Sequence, residues 1–148
     1  MKNIYIILIL IFSFTIFSCA KKSDTSSTST TSSPSHVAVG SSGTILTSSD
    51  GTTWTSRTSG TTESLSGVTY GNSTFVTVGY LTILTSSDGS TWTSRTAGTM
   101  VPLHEVTYGN STFVIVGSNN IFTSPDGTTW TSRTSGTSLY LSGVTSIE

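Results

Sequence analysis

The chain has 148 residues, a formal net charge of −1 and 9% charged residues, and 30 serines and 31 threonines dominate its composition. Residues 36–148 contain three arginines and no lysine, which excludes the basic surface that nucleic-acid binding requires. No phosphate loop, nucleophile elbow or zinc-ligand spacing occurs, so we expect no cofactor and no metal.

Residues 1–18 are predicted to be a signal peptide. A basic start at 1–3 precedes an apolar run over 4–17, whose 14 residues suit a secretory segment. A membrane-spanning helix needs about 18 or more. An uncleaved signal anchor, or an ordinary signal peptide with a chance cysteine, remains the alternative.

The run ends in Ile16-Phe17-Ser18-Cys19, which resembles a bacterial lipobox. The resemblance implies that Cys19 is lipidated, becomes the mature N-terminus and anchors the protein to a membrane without a spanning segment. The second mature residue is Ala20 rather than Asp, which in the bacterial sorting scheme favours the outer membrane over the inner. Residues 19–35 then form a Ser/Thr-rich tether that is expected to be disordered, because it offers little apolar surface to bury.

Residues 36–148 are predicted to form one repeat domain. Trp54, Trp92 and Trp130 are spaced by 38 residues, and residues 67–100 match residues 105–138 at 24 of 34 positions. Such a period is typical of propeller blades or other repeat arrays.

Each repeat is predicted to contain four short strands. In the best-defined copy these are Gly67–Tyr70, Ser73–Val78, Thr82–Thr85 and Thr91–Thr96, with Gly71-Asn72 as the first hairpin turn. Because β-branched residues alternate along these segments and no helical spacing occurs, we expect an all-β, propeller-like array of three four-stranded repeats.

The turn before each Trp resembles the Asp-box, or BNR repeat, of sialidase-like and photosystem-assembly-factor-like β-propellers. The first copy reads Ser48-Ser49-Asp50-Gly51-Thr52-Thr53-Trp54 and lacks one spacer residue of the family pattern. The resemblance implies a propeller fold, with structural turns remote from any catalytic centre. The turn residues concerned are Asp50, Gly51, Asp88, Gly89, Asp126 and Gly127, and the structural aromatic residues are Trp54, Trp92 and Trp130.

The two ends of the domain each carry part of a repeat. Residues 36–40 align with a second strand and lack a first strand, whereas residues 142–145 align with a first strand. Pairing of these two segments would close the ring. Three alternatives stay open: a three-bladed monomer, a homodimer with six blades, and an incomplete or truncated propeller, which includes a remnant without function.

The candidate chemistry points to binding rather than catalysis. Neither a sialidase-type tyrosine nucleophile nor its paired glutamate can be identified. The arginines recur once per repeat, as structural residues do, at Arg57, Arg95 and Arg133. The two histidines, His36 and His104, share no repeat position, which argues against a metal site. Because repeat scaffolds bind through their variable loops, we expect contacts to a protein or glycan ligand from the inter-repeat loops at 62–66, 100–104 and 138–142. The candidates there are Glu63, Met100, His104 and Tyr140.

Overall fold

The computed structural model describes residues 33–96, 98 and 100–147. The predicted signal peptide, Cys19 and most of the tether lie outside the described residues. In the described part the chain is all-β, as predicted, and none of its helices has the length and apolarity to cross a membrane.

The strands are short, and neighbouring strands within each sheet are antiparallel. They are β1 (His36–Val39), β2 (Ile45–Ser48), β3 (Thr55–Arg57), β4 (Leu65–Gly71), β5 (Thr74–Gly79), β6 (Thr82–Ser86), β7 (Thr93–Arg95), β8 (Glu105–Gly109), β9 (Thr112–Gly117), β10 (Asn120–Ser124) and β11 (Thr131–Arg133). A short 3₁₀ turn, Ser41–Gly43, joins β1 to β2.

Three separate antiparallel sheets result, one for each repeat. The first sheet contains β1, β2 and β3, the second contains β4 to β7, and the third contains β8 to β11, each in meander order. The first sheet therefore has one strand fewer than the others, as the missing first strand at residues 36–40 predicted.

The first hairpin turn of the repeat lies one residue later than predicted. Gly71 pairs with Thr74 at the end of the ladder, so the turn residues are Asn72 and Ser73, both with positive φ. The prediction of Gly71-Asn72 as the turn was wrong because the glycine is required for a close contact with the next repeat. The aromatic ring of Tyr108 in the next repeat lies where a Cβ at position 71 would be.

The fourth strand of each repeat is shorter than predicted. The segment Thr91–Thr96 was expected to be extended, but β7 covers only Thr93–Arg95. The residues before Thr93 belong to the turn that Asp88 organises, since the N–H of Thr91 donates to Asp88 Oδ1. Local hydrogen bonding to the aspartate therefore competes with the strand ladder.

The hydrophobic core lies between consecutive sheets. One cluster joins the second and third sheets and includes Val76, Val78, Ile115 and Phe122. A smaller cluster joins the first and second sheets through Ile45, Leu65 and Leu84. A sheet therefore buries both of its faces only when another sheet packs against each of them.

The terminal segments do not pair with each other among the described residues, so the closure within one chain that the sequence left open is not found. β1 pairs only with β2 among the described residues, and no sheet closes on itself. Residues 142–145 instead lie beside the third sheet, where Ser146 Oγ donates to the carbonyl of Tyr108 over 2.8 Å. The segment follows the third repeat as β8 follows the second, which keeps it next to β8.

Candidate functional site

The three aspartate turns share one hydrogen-bond pattern. In the second repeat, Asp88 Oδ1 accepts the N–H groups of Ser90 and Thr91 over 2.7 and 2.8 Å and the hydroxyl of Ser86 over 3.0 Å. Ser86 Oγ in turn accepts the N–H of Gly89 over 2.8 Å. Asp50 and Asp126 make the equivalent bonds, so each carboxylate is directed into its own turn.

These bonds lower the pKa of each turn aspartate, because the donors stabilise the charged form. Hydrogen bonds from the backbone of Thr91 and Ser90 hold the pKa of Asp88 at about 2. The pKa values of Asp50 and Asp126 also lie below the ordinary range, for which the backbone N–H groups of Thr53 and Thr129 respectively are the first cause.

We expect the domain to lose stability in acid through these three residues. A lowered folded pKa stabilises the fold fully above the unfolded value, about 4, and this contribution is lost as the pH falls toward the folded value. For Asp88 that window runs from about pH 4 to about pH 2. Thermal unfolding followed between pH 6 and pH 2 measures the loss.

The matched control is the triple variant Asp50→Asn, Asp88→Asn, Asp126→Asn. An asparagine amide oxygen can accept the same bonds but does not titrate. We expect the melting temperature of the variant to vary less with pH across this window than that of the wild type. Parallel curves for the two proteins would contradict the assignment.

Two of the three tryptophans pack between sheets. Trp92 and Trp130 are half-buried beside the two core clusters, and their Nε1–H groups donate to the carbonyls of Gly89 and Gly127. Trp54 is 40% exposed and meets His36 edge-on, with 6.3 Å between ring centroids. The difference arises because the described residues supply no sheet in front of the first one.

The structure brings together two of the four predicted loop residues. Tyr140 Oη lies 3.1 Å from His104 Nδ1, and the two rings lie 4.5 Å apart. His104 Nε2 is buried without a hydrogen-bond partner among the described residues. Met100 is 85% exposed and Glu63 is also exposed, and neither joins this pair through a described hydrogen bond.

Each repeat also forms a cleft beside its arginine, a residue whose once-per-repeat spacing predicts a purely structural role. In the first repeat a cleft of about 650 Å³ is lined by Arg57, Ser59 and Thr61 among other residues. The third repeat has a cleft of about 600 Å³ lined by Arg133 and Ser135 at the equivalent positions. Both clefts border an inter-repeat loop and are rich in hydroxyl groups.

The cleft at Arg95, as far as the described residues form it, is smaller than the other two. It measures about 250 Å³, and Leu81, Val101 and Leu103 line it together with Arg95. This difference in size allows Arg95 to be compared with Arg57 and Arg133 in any test of binding.

Each arginine is fixed by one hydrogen bond. The Nε–H groups of Arg57, Arg95 and Arg133 donate to threonine Oγ1 atoms on the neighbouring strand over 2.8 to 2.9 Å. A guanidinium has five N–H donors, and within the described residues these arginines use only Nε. The Ser-Arg-Thr-Ser-Gly-Thr repeat was the signal that could have indicated these clefts.

Comparison with protein-family models and with curated proteins finds no match to the chain. Among the described residues, no three His, Cys, Asp or Glu side chains are grouped so that they could hold a metal ion.

Proposed function

We propose that this protein is a non-enzymatic binding module displayed on a bacterial membrane by a lipid on Cys19. The repeat domain is a β-propeller-like array, and its ligand binds at the arginine clefts and the adjoining loops. The meander order of each sheet and the core between consecutive sheets support the propeller-like arrangement.

The pair of polar clefts is the observation that carries this proposal. A fixed guanidinium beside several hydroxyl groups offers hydrogen-bond donors and acceptors on an open, shallow surface. A serine at the same position in both clefts accepts a backbone N–H, from Thr61 or Thr137, and so holds the rim of the cleft. Such a surface suits a polar ligand better than an apolar one.

A glycan is the ligand class that these clefts favour. Sugars present several hydroxyl groups to a protein surface, and an acidic sugar adds a carboxylate that a guanidinium can bind with two parallel bonds. Two similar clefts in one array would let a polymer bind at two points, which raises the overall affinity.

The test compares arginine variants of the full chain in detergent. We expect polygalacturonate to bind the wild type, and the variant Arg57→Gln, Arg133→Gln to bind it about tenfold more weakly or worse, because charge-assisted hydrogen bonds are lost. Calorimetric titration measures the affinity, and dextran serves as the neutral polysaccharide.

Arg95→Gln is the matched control, since Arg95 has the same bond to threonine but lines a smaller cleft, of about 250 Å³, among the described residues. We expect its affinity to stay within about twofold of the wild type. An equal loss in Arg95→Gln would contradict a role for the two polar clefts. Equal binding of dextran would show that the arginines do not select for acid groups.

The lipid anchor has a separate test. Bacteria that express the full chain are grown with an alkyne-bearing palmitate analogue, and we expect the label on the wild type and not on Cys19→Ser. Fractionation of the envelope then reports whether the labelled protein reaches the outer membrane. Labelling of the serine variant would contradict the assignment of Cys19.

A further inference from the structure

Each internal contact between repeats joins two different faces. The forward face of a sheet consists of two valines and one isoleucine, which are Val76, Val78 and Ile83 in the second sheet. The rear face of the next sheet meets it with a buried apolar pair and the tryptophan, which are Ile115, Phe122 and Trp130 in the third sheet. The same kind of contact joins the first sheet to the second.

The two ends of the array present one uncovered face of each kind. The third sheet carries the forward face again, as Val114, Val116 and Ile121. There Val114 and Ile121 are half-buried, whereas their counterparts Val76 and Ile83 are 0% and 2% exposed. The forward face at this end therefore lacks part of the cover that the second sheet receives.

The first sheet carries the rear face again, as Ala38, Leu46 and Trp54. Leu46 is half-buried, while its counterparts Leu84 and Phe122 are 2% and 3% exposed. Trp54 is the most exposed of the three tryptophans. The two end faces are thus the two partners of a contact that the domain already makes twice internally.

Residues 141–147 are placed as the first strand of a further repeat. The sequence Leu-Ser-Gly-Val-Thr at 141–145 is identical to that at 65–69, which is most of β4. The N–H of Leu141 donates to the carbonyl of Ser118, whereas the equivalent Leu103 donates to that of Gly79 over 3.1 Å, so this bond is shifted by one residue from the preceding repeat.

The C-terminal end of this segment makes a contact that is equivalent to one in the preceding repeat. Ser146 lies against Gly109 as Tyr108 lies against Gly71. Its hydroxyl oxygen is also 3.2 Å from Thr107 Oγ1. The segment nevertheless pairs with no strand among the described residues. The segment therefore has the sequence of a first strand and lies beside the third sheet, but it has no strand partner among the described residues.

We propose that a second copy of this chain supplies that strand: β1 of one copy pairs with residues 141–147 of the other. The pairing would give the first sheet its fourth strand and would set the rear face with Trp54 against the forward face of the partner. Two copies joined at both ends form a closed ring of six sheets, within the usual range for propellers, with two-fold symmetry.

The repeat fixes the register of the proposed pairing. Val68 on β4 faces Thr77 on β5, and the equivalent positions are Val144 and Ala38. Opposed Cα atoms in an antiparallel pair lie about 4.5–5.5 Å apart, a separation that a disulfide can bridge. Cysteines at these two positions therefore report the contact directly.

The experiment uses the full chain in detergent with the double substitution Val144→Cys, Ala38→Cys. We expect mild oxidation to convert most of this variant into a covalent dimer on a non-reducing gel, and light scattering to give the wild type twice the mass of one chain. The wild type controls for dimers formed through Cys19. Thr145→Cys, Ala38→Cys controls for register, since its cysteine points to the other face, and we expect at least tenfold less dimer.

Several outcomes would overturn the proposal. A disulfide within one chain would show that the two ends of a single copy meet. A ladder of larger covalent species would show an open head-to-tail chain rather than a ring. A wild type with the mass of a single chain would exclude the dimer. The proposal does not depend on the ligand, so failure of polysaccharide binding leaves it intact.

Discussion

Replacing Gly79 by alanine is expected to destabilise the domain by about 3 kcal/mol, at the upper end of the usual cost of overpacking. Gly79 ends β5 and is buried, and a Cβ added there would overlap the carbonyl oxygen of Ser64. The obstacle is backbone rather than a flexible side chain, so it cannot move aside alone. Ser64 is also held in place, since its carbonyl accepts the N–H of Tyr80 over 2.9 Å.

The same glycine recurs in the other repeats, which provides the control. Gly117 faces the carbonyl of Pro102 in the same way, and we expect a similar loss from Gly117→Ala. Gly40 has only Thr44 Cβ near the added atom, at 3.9 Å. Gly40→Ala should therefore stay within about 0.5 kcal/mol of the wild type. Denaturant unfolding of the three variants measures the differences, and equal losses at positions 40 and 79 would contradict the close-approach explanation.

The features that recur with the 38-residue period were predictable from the sequence. Alternating β-branched residues indicated the strands, and the missing first strand at residues 36–40 indicated a sheet with one strand fewer. Both signals are local, because they depend on side-chain alternation and on the alignment of one copy with another.

The errors arose where distant contacts decide the outcome. Gly71 is a residue type that is common in turns. It is needed here for a different reason, because the ring of Tyr108 from the next repeat leaves no room for a side chain at position 71. Residues 142–145 have the pattern of a strand that could close the ring, but they follow the third sheet, where Ser146 lies against Gly109 and bonds to the carbonyl of Tyr108. Neither contact can be found by examining one repeat alone.

The candidate site was predicted only in part, for a related reason. The inter-repeat loops were predicted as the binding segments, and the structure shows that His104 and Tyr140, from two consecutive loops, contact each other. The arginine clefts were missed because periodicity was taken as evidence of a purely structural role. Periodicity does not separate the two roles, since Arg57 bonds to the neighbouring strand through Nε and also lines a cleft.

Substitution of Phe113 by alanine is expected to cost about 4 kcal/mol, within the range for deletion of a buried aromatic side chain. Phe113 is 0% exposed, and its ring stacks on that of Tyr108 with 4.6 Å between centroids. It lies in the cluster that joins the second and third sheets, so its removal leaves a cavity at the contact between repeats. A loss of this size is a large share of the stability of an ordinary domain.

The repeat supplies a graded series for this prediction, because Phe75 and His36 stand at the equivalent positions. Phe75 is 8% exposed and stacks on Tyr70, whereas His36 is exposed on the first sheet. We expect the loss of unfolding free energy to fall in the order Phe113→Ala, Phe75→Ala, His36→Ala, with the last below about 1 kcal/mol. The order follows the exposed fraction of each side chain, which is lowest for Phe113 and highest for His36. Equal losses at all three positions would mean that stability resides within each sheet, and the contacts between repeats would then not hold the array together.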